Sequence, residues 1–291
     1  MLHPESRALI ADLGESSGPP DVEAVRAAQR EWALQQERPG LEQVVDLDAD
    51  GVPVRLYRPH VGAPVALYVH GGGWVLHDLE THDAFCRYLS AATGWALLAV
   101  DYRRAPEHPF PAPLDDVETV ARWLRSGLTD HDVDTSFVVG IGDSSGANLV
   151  AALAVRDAAV IDGQVLLYPA TDRTATLEPD DTNPALDVEA MGWFWDTYAP
   201  GVPTDHSEVS PMLATDLSAL GPTLVVTAEH DVLAPQGRAF AARLADEGVA
   251  AVGLQVDGMV HSFWRQPERF RAARATVTMV GAMLQEWRTG A

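Results

Sequence analysis

Lysine is missing from this chain: all 20 of its basic residues are arginine. That absence excludes a phosphate-binding P-loop, which needs a lysine against the phosphates. Cysteine is almost missing. With Cys86 alone there is no intrachain disulfide, and no His/Cys cluster has metal-ligand spacing, so no metal and no organic cofactor is expected. Cys86 lies among Ala84, Phe85, Tyr88 and Leu89 in a segment that reads as helix, where a buried structural thiol is expected. Positive charge is scarce: 42 acidic residues against those 20 arginines leave a formal charge of −22. Such a surface repels nucleic acid and anionic membranes, so neither is expected as a partner. No apolar run approaches the length that spans a bilayer. The opening MLHPESRALIADLGESSGPP has no apolar core of signal-peptide length, and a cytoplasmic protein is expected.

What is present is enough for a large core: 291 residues, 47% of them hydrophobic. Two helical patterns, 4–13 and 21–36, are split by SSGPP; the second repeats Val22, Val25, Ala28 and Trp32 at helical spacing. The β-like runs EQVVDL and VPVRLYR follow, joined by Asp48-Ala49-Asp50-Gly51, a hairpin signal. Apolar strands are then expected at 65–69, 96–100, 137–140, 164–168, 223–227 and 252–256. Helical patterns lie between most of them, near 81–92, 113–126, 146–158, 235–247 and 268–287. Apolar strands alternating with helices predict a mainly parallel sheet covered on both faces, with eight strands once the hairpin is added. One interval breaks the rhythm, between Tyr168 and Thr223. It carries Pro179, Pro184, Pro200, Pro203 and Pro211 and the aromatic patch MGWFWDTYAP. Loops that long are usually functional, and a lid over the carboxyl edge of the sheet is expected.

The stretch GDSSGAN, residues 142–148, admits two readings. Gly140-Ile-Gly142-Asp-Ser-Ser-Gly146 nearly matches the dinucleotide pattern G-x-G-x-x-G, with Asp162 at a distance that suits a ribose. It has Ser145 where the third glycine or an alanine belongs, and it sits in the third crossover rather than the first βα unit. The same residues match G-x-S-x-G in full, after an apolar strand and before an Ala/Leu/Val-rich helix. In that context the motif forms a strained strand-to-helix turn that lifts a nucleophilic serine above the sheet. Ser144 is then the nucleophile, and Ser145 lends a backbone N–H.

A serine needs a base, and the base an orienting acid. In α/β hydrolases the order along the chain is Ser, acid, His. His261, in GMVHSF, follows the last predicted strand, and Asp231, in AEHDV, follows the one before it. Glu229 as the acid and His230 as the base remain rivals, as does Asp257. The oxyanion calls for donors, and His70-Gly71-Gly72-Gly73-Trp74 follows strand 65–69. Glycines there let backbone N–H groups approach without side-chain obstruction. Gly72, Gly73 and Ser145 are the expected donors, with His70 bracing the loop.

Taken together, HGGGW, VDYRRAPEHPFPAPLDD, GDSSGANL, SPML, TAEHDVL and GMVHSF occur in the order and spacing of the hormone-sensitive-lipase-like esterases, which this chain resembles over most of its length. The resemblance implies an α/β-hydrolase fold and a triad of Ser144, Asp231 and His261. It also implies a helical cap: an N-terminal segment over 1–40 and an insertion at about 170–215 in a catalytic domain over 41–291. The chain departs from the family pattern at Ser145 (commonly Ala), Val232 (Pro) and Ser262 (Gly). Pro235 and Gln236 stand where acidic residues are usual. The proline-rich DYRRAPEHPFPAPLDD is expected as scaffold beneath the site.

The expected activity is hydrolysis of short-chain acyl esters through an acyl-enzyme. The alternatives are an amide or N-acyl hydrolase on the same triad, and a non-catalytic small-molecule receptor on the same fold. The expected partners are a small-molecule ester and, as the one protein candidate, a second copy of the chain in a homodimer. Trp74, Met191, Trp193 and Trp195 are the candidate substrate-lining residues, together with Phe194 and Tyr198 of the same aromatic patch. Packing that seats the cap is the competing reading for the aromatic patch.

Overall fold

The apolar runs form one sheet. A computed structural model describes residues 1–12, 21–126, 128–179 and 186–290. The SSGPP break and Pro184 lie outside the described residues. Two helices open the chain, α1 (Pro4–Asp12) and α2 (Val22–Leu34). The strands are β1 (Gln43–Ala49), β2 (Val52–Arg58), β3 (Ala63–Val69), β4 (Ala96–Val100), β5 (Val133–Asp143), β6 (Gly163–Leu167), β7 (Thr223–His230) and β8 (Ala251–Val260). Between and after them run α3 (Leu79–Thr93), α4 (Ala112–Arg125), α5 (Ser145–Arg156), α6 (Val188–Tyr198), α7 (Ala234–Asp246) and α8 (Arg271–Gly290). No helix among the described residues is long and apolar enough to cross a membrane.

The sheet order is β1-β2-β4-β3-β5-β6-β7-β8. β1 and β2 pair antiparallel, as do β2 and β4; every later pair is parallel. The β1–β2 hairpin closes on two residues, Asp50 and Gly51, both at positive φ (53° and 93°). That is the Asp-Gly tight turn whose twist suits the flanking strands. The Asp48 carboxylate accepts from Gly51 N at 2.7 Å and fixes it.

Side chains alternate across the sheet with period two. In β3, Val65, Leu67 and Val69 point into the core shared with α4, α5 and α7, whereas Ala66 and Tyr68 point into the core shared with α3 and α8. Both faces are covered, which explains why β3, β4 and β6 are buried from end to end. Cys86 is fully buried in the second core, where burial pushes its thiol well up.

The parallel strands all end toward the same edge, and the candidate groups gather there. α2 is tied across that edge: Arg26 donates to Val75 O and Ala105 O, each at 2.8 Å, and pairs with Glu107. The proline-rich loop supports the glycine loop from below, with Tyr102 Oη donating to His70 O at 2.8 Å and Ala105 N to Trp74 O at 3.0 Å.

Candidate active site

Ser144 sits between β5 and α5 at φ 54°, ψ −119°, a conformation L-residues rarely hold. Two glycines make the turn feasible. A Cβ on Gly142 would lie 2.5 Å from the Gly146 backbone, and one on Gly146 would lie 2.1 Å from Val69 O. The turn is pinned by Ser144 N donating to Leu167 O at 2.8 Å.

The three loops named from the sequence meet here. His261 Nε2 lies 3.0 Å from Ser144 Oγ, and His261 Nδ1 lies 2.7 Å from Asp231 Oδ2. The other carboxylate oxygen of Asp231 accepts from Leu233 N at 2.9 Å, which aims the carboxylate from the start of α7. Tyr168 backs the imidazole, ring centroids 4.7 Å apart.

The rivals are occupied elsewhere. Glu229 accepts from Gly258 N at 2.6 Å, and His230 faces that same carboxylate at 3.6 Å. Asp257 accepts from Gln255 at 3.0 Å. Asp162, the acid a ribose would need, accepts from Val138 N at 2.6 Å and pairs with Arg125 at 2.7 Å, so the dinucleotide reading loses its partner.

Gly72, Gly73 and Ser145 share one cavity of 150 Å³ with Ser144 and His261. Ser145 is the first residue of α5, and the first amides of a helix have no partner within it. Gly72 and Gly73 sit at φ 117° and 62°. Phe194 packs so tightly on Gly73 that a Cβ there would fall 2.0 Å from the ring. His70 lies beneath the loop, its Nδ1 2.8 Å from Gly71 O and its ring stacked on Tyr102 at 4.3 Å. Burial, then the neighbouring His82, lower its pKa to about 3, so it is a neutral brace.

The pocket expectation needs correcting in part. Met191 lines the cavity and Trp74 borders it. Trp195 and Trp193 do not. Trp195 is buried against Trp74 and Tyr198, at 4.3 Å and 6.4 Å, and Trp193 packs edge-on to Phe194 at 5.1 Å. Met191, Trp195 and Tyr198 recur at helical spacing and form the buried face of α6. Phe194 of the same patch does line the cavity, and Leu186 joins it, with Gln29 of α2.

Three further residues escaped sequence reasoning. Asp143, fully buried, accepts from Tyr68 Oη at 2.8 Å and Gly71 N at 2.9 Å. Burial alone would raise its carboxyl, but His82, Arg265 and the Tyr68 hydrogen bond hold it well below the usual range. A charged residue ending the apolar half of the strand, 137–143, was the available signal. His77 and Arg265 also face the cavity, and nothing in their sequence context marks them.

A family model described as alpha/beta hydrolase fold matches residues 66–265. The ethyl acetate hydrolase of Pseudomonas putida is 34% identical over 254 residues, 82% of this chain and 80% of its own. An arylesterase of Saccharolobus solfataricus is 33% identical over 258 residues, 83% and 81% of the two chains. Among solved structures, a hyperthermophilic esterase from the archaeon Pyrobaculum calidifontis superposes with a TM-score of 0.91 at 32% identity, covering 98% of both chains.

Proposed function

Because this chain belongs to the α/β-hydrolase fold family, on its hormone-sensitive-lipase-like branch, we propose that it hydrolyses short-chain carboxylic esters through an acyl-enzyme on Ser144. Its relatives are named as esterases and ester hydrolases, and it is a carboxylic ester hydrolase with them. The observation that carries the mechanism is the unbroken relay Ser144 Oγ–His261 Nε2 (3.0 Å) and His261 Nδ1–Asp231 Oδ2 (2.7 Å).

In the first half-reaction Ser144 Oγ attacks the ester carbonyl carbon while His261 Nε2 takes its proton. Asp231 accepts from Nδ1–H, which fixes the tautomer and stabilises the imidazolium. The amides of Gly72, Gly73 and Ser145 receive the oxyanion; one such donor is typically worth about 3–4 kcal/mol of barrier. The tetrahedral intermediate collapses, the alcohol leaves with the His261 proton, and Ser144 keeps the acyl group. Water then repeats the sequence and releases the acid.

A cavity of 150 Å³ supports small acyl groups. Its walls include Gln29 from the N-terminal segment and Leu186, Met191 and Phe194 from the insertion, which supports both segments as a cap. The receptor alternative finds no support, because His261 stands in hydrogen-bond reach of the serine. The test is hydrolysis of p-nitrophenyl acetate and butyrate by the wild type and by Ser144→Ala. Equal slow rates from both would defeat the proposal. A phosphonate adduct seen by intact mass in the wild type and lost in Ser144→Ala identifies the nucleophile separately.

A further inference from the structure

Arg265 is a wall residue of three adjoining cavities: the 150 Å³ one that holds Ser144, one of 350 Å³ and one of 590 Å³. Gln29 and His77 border the first two, and Trp32 the second and third. The cavities therefore succeed one another along α2, with side chains as their partitions. Ligand sites typically measure about 300–1,000 Å³. The catalytic cavity falls short of that range, and the 590 Å³ chamber, walled by Trp32, Phe85 and Tyr88 and also by the charged Glu37, Glu268 and Arg274, lies within it.

At the partition, Arg265 Nη1 lies 3.0 Å from His77 Nδ1. A guanidinium only donates, so a lone pair of the ring accepts; Gly71 O also lies 3.2 Å from Nδ1, and Nε2 lies 3.4 Å from Arg265 Nη1, so the tautomer decides which nitrogen does so. Burial, then the charge of Arg265, hold His77 well below its ordinary pKa, in keeping with a neutral acceptor ring. His77 itself is fixed. Its carbonyl accepts from Arg104, and its Nδ1 packs so close to the glycine loop that a Cβ on Gly72 would lie 2.7 Å from it. Arg265 is the half that can move: its side chain is partly exposed, His77 is that side chain's one hydrogen-bond partner among the described residues, and the attraction of its charge to Asp143 is what displacement must overcome.

We propose that Arg265 sets the chain-length limit of this hydrolase. Latched on His77 it confines the substrate to the small cavity; displaced, it joins that cavity to the aromatic-walled chamber and admits the apolar chain of a longer ester. The proposal rests on the ester-hydrolysis reading above.

Two ester series test it, p-nitrophenyl acyl esters from acetate to laurate and acetates of primary alcohols of rising length. Arg265→Ala is expected to raise the decyl-to-butyl ratio of kcat/KM about tenfold in one series, the transfer gain of roughly two methylenes. The responding series identifies the side of the ester that enters. Ala84→Trp, added on the α3 wall of the chamber, is expected to return the ratio toward the wild-type value. Arg265→Met keeps the apolar stem without the charge and serves if the alanine variant does not fold. Ratios unmoved in both series overturn the proposal, and so does a uniform loss at every length, which would make Arg265 a positioning residue. A wild type inactive on all esters, or activity surviving Ser144→Ala, would sink the hydrolase reading and the proposal with it, and shows before any Arg265 variant is compared.

Discussion

Gly71 donates its backbone N–H to Asp143 Oδ1 at 2.9 Å, so the residue just before the proposed nucleophile holds the loop that carries the proposed oxyanion donors. The same oxygen accepts from Tyr68, and a Cβ on Gly71 would stand 2.5 Å from the other. Asp143→Ala strands a buried amide and a buried phenol, each costing about 1–3 kcal/mol. Urea unfolding should show a loss of roughly 2–5 kcal/mol. On acetate esters kcat should fall about 100-fold, the scale of one misplaced oxyanion donor, with little change in KM. Asp143→Asn retains an acceptor oxygen and should recover much of the loss in kcat.

Asp231→Asn separates orientation from folding. The amide oxygen can still accept from Leu233 N, so the melting temperature should stay close to wild type. Its NH₂ cannot accept from His261 Nδ1–H, and the imidazole is left in the wrong tautomer. In serine proteases that change costs about 10⁴ in kcat. A comparable loss is expected here in steady-state hydrolysis of p-nitrophenyl acetate.

Gly73→Ala pits a methyl group against the Phe194 ring at a position already at φ 62°. We expect kcat to fall about 100-fold as the loop shifts. The double variant Gly73→Ala with Phe194→Ala should recover part of that loss, because the obstruction is gone and only the backbone strain remains. Full additivity in the double-mutant cycle would contradict this coupling.

Acid should destabilise the fold. Burial first, and then His82, lower His70 from 6.5 to about 3, and burial lowers His77 and His82 as well. The unfolded chain takes up these protons below about pH 6.5, while folded His70 stays neutral until near pH 3. The stabilisation is therefore fully present above about pH 6.5 and is lost as the pH falls toward 3. Asp143, held low when folded, acts in the same direction at lower pH. Urea midpoints measured from about pH 8 down to about pH 4 should decline, and less steeply for His70→Asn.

Legibility in the sequence followed the physics of each feature. Parallel strands covered on both faces must be apolar throughout, so β3, β4, β6 and β7 stood out. The ends of β8 did not: Asp257-Gly258 reads as a turn. In the fold, Gly258 at φ 75° is a bulge whose N–H goes to Glu229, and the strand runs on to Val260, directly before His261. The same bond explains why Glu229 is a brace rather than the acid. The aromatic patch on α6 showed helical spacing but not which side faces the serine, because its rotation is set by Trp74, more than a hundred residues away. Gln236, expected only as a departure from the family pattern, accepts from Thr171 N at 2.6 Å and Asp172 N at 2.8 Å and anchors the start of the insertion. The role proposed for Arg265 rests on neighbouring empty space, which no residue pattern encodes.

The stack of Trp74 on Tyr198, nearly parallel at 4.4 Å, has a consequence for the cap. Trp74 ends the glycine loop and Tyr198 ends α6, so this helix is riveted to the very backbone that must stay still during turnover. Swinging up as a hinged cover would pull on the loop that carries the proposed oxyanion donors. On the other side of the cavity α2, which brings Gln29 to its wall, is fastened to the same loop: Arg26 donates to Val75 O at 2.8 Å, and Arg30 pairs with Asp78 at 3.5 Å.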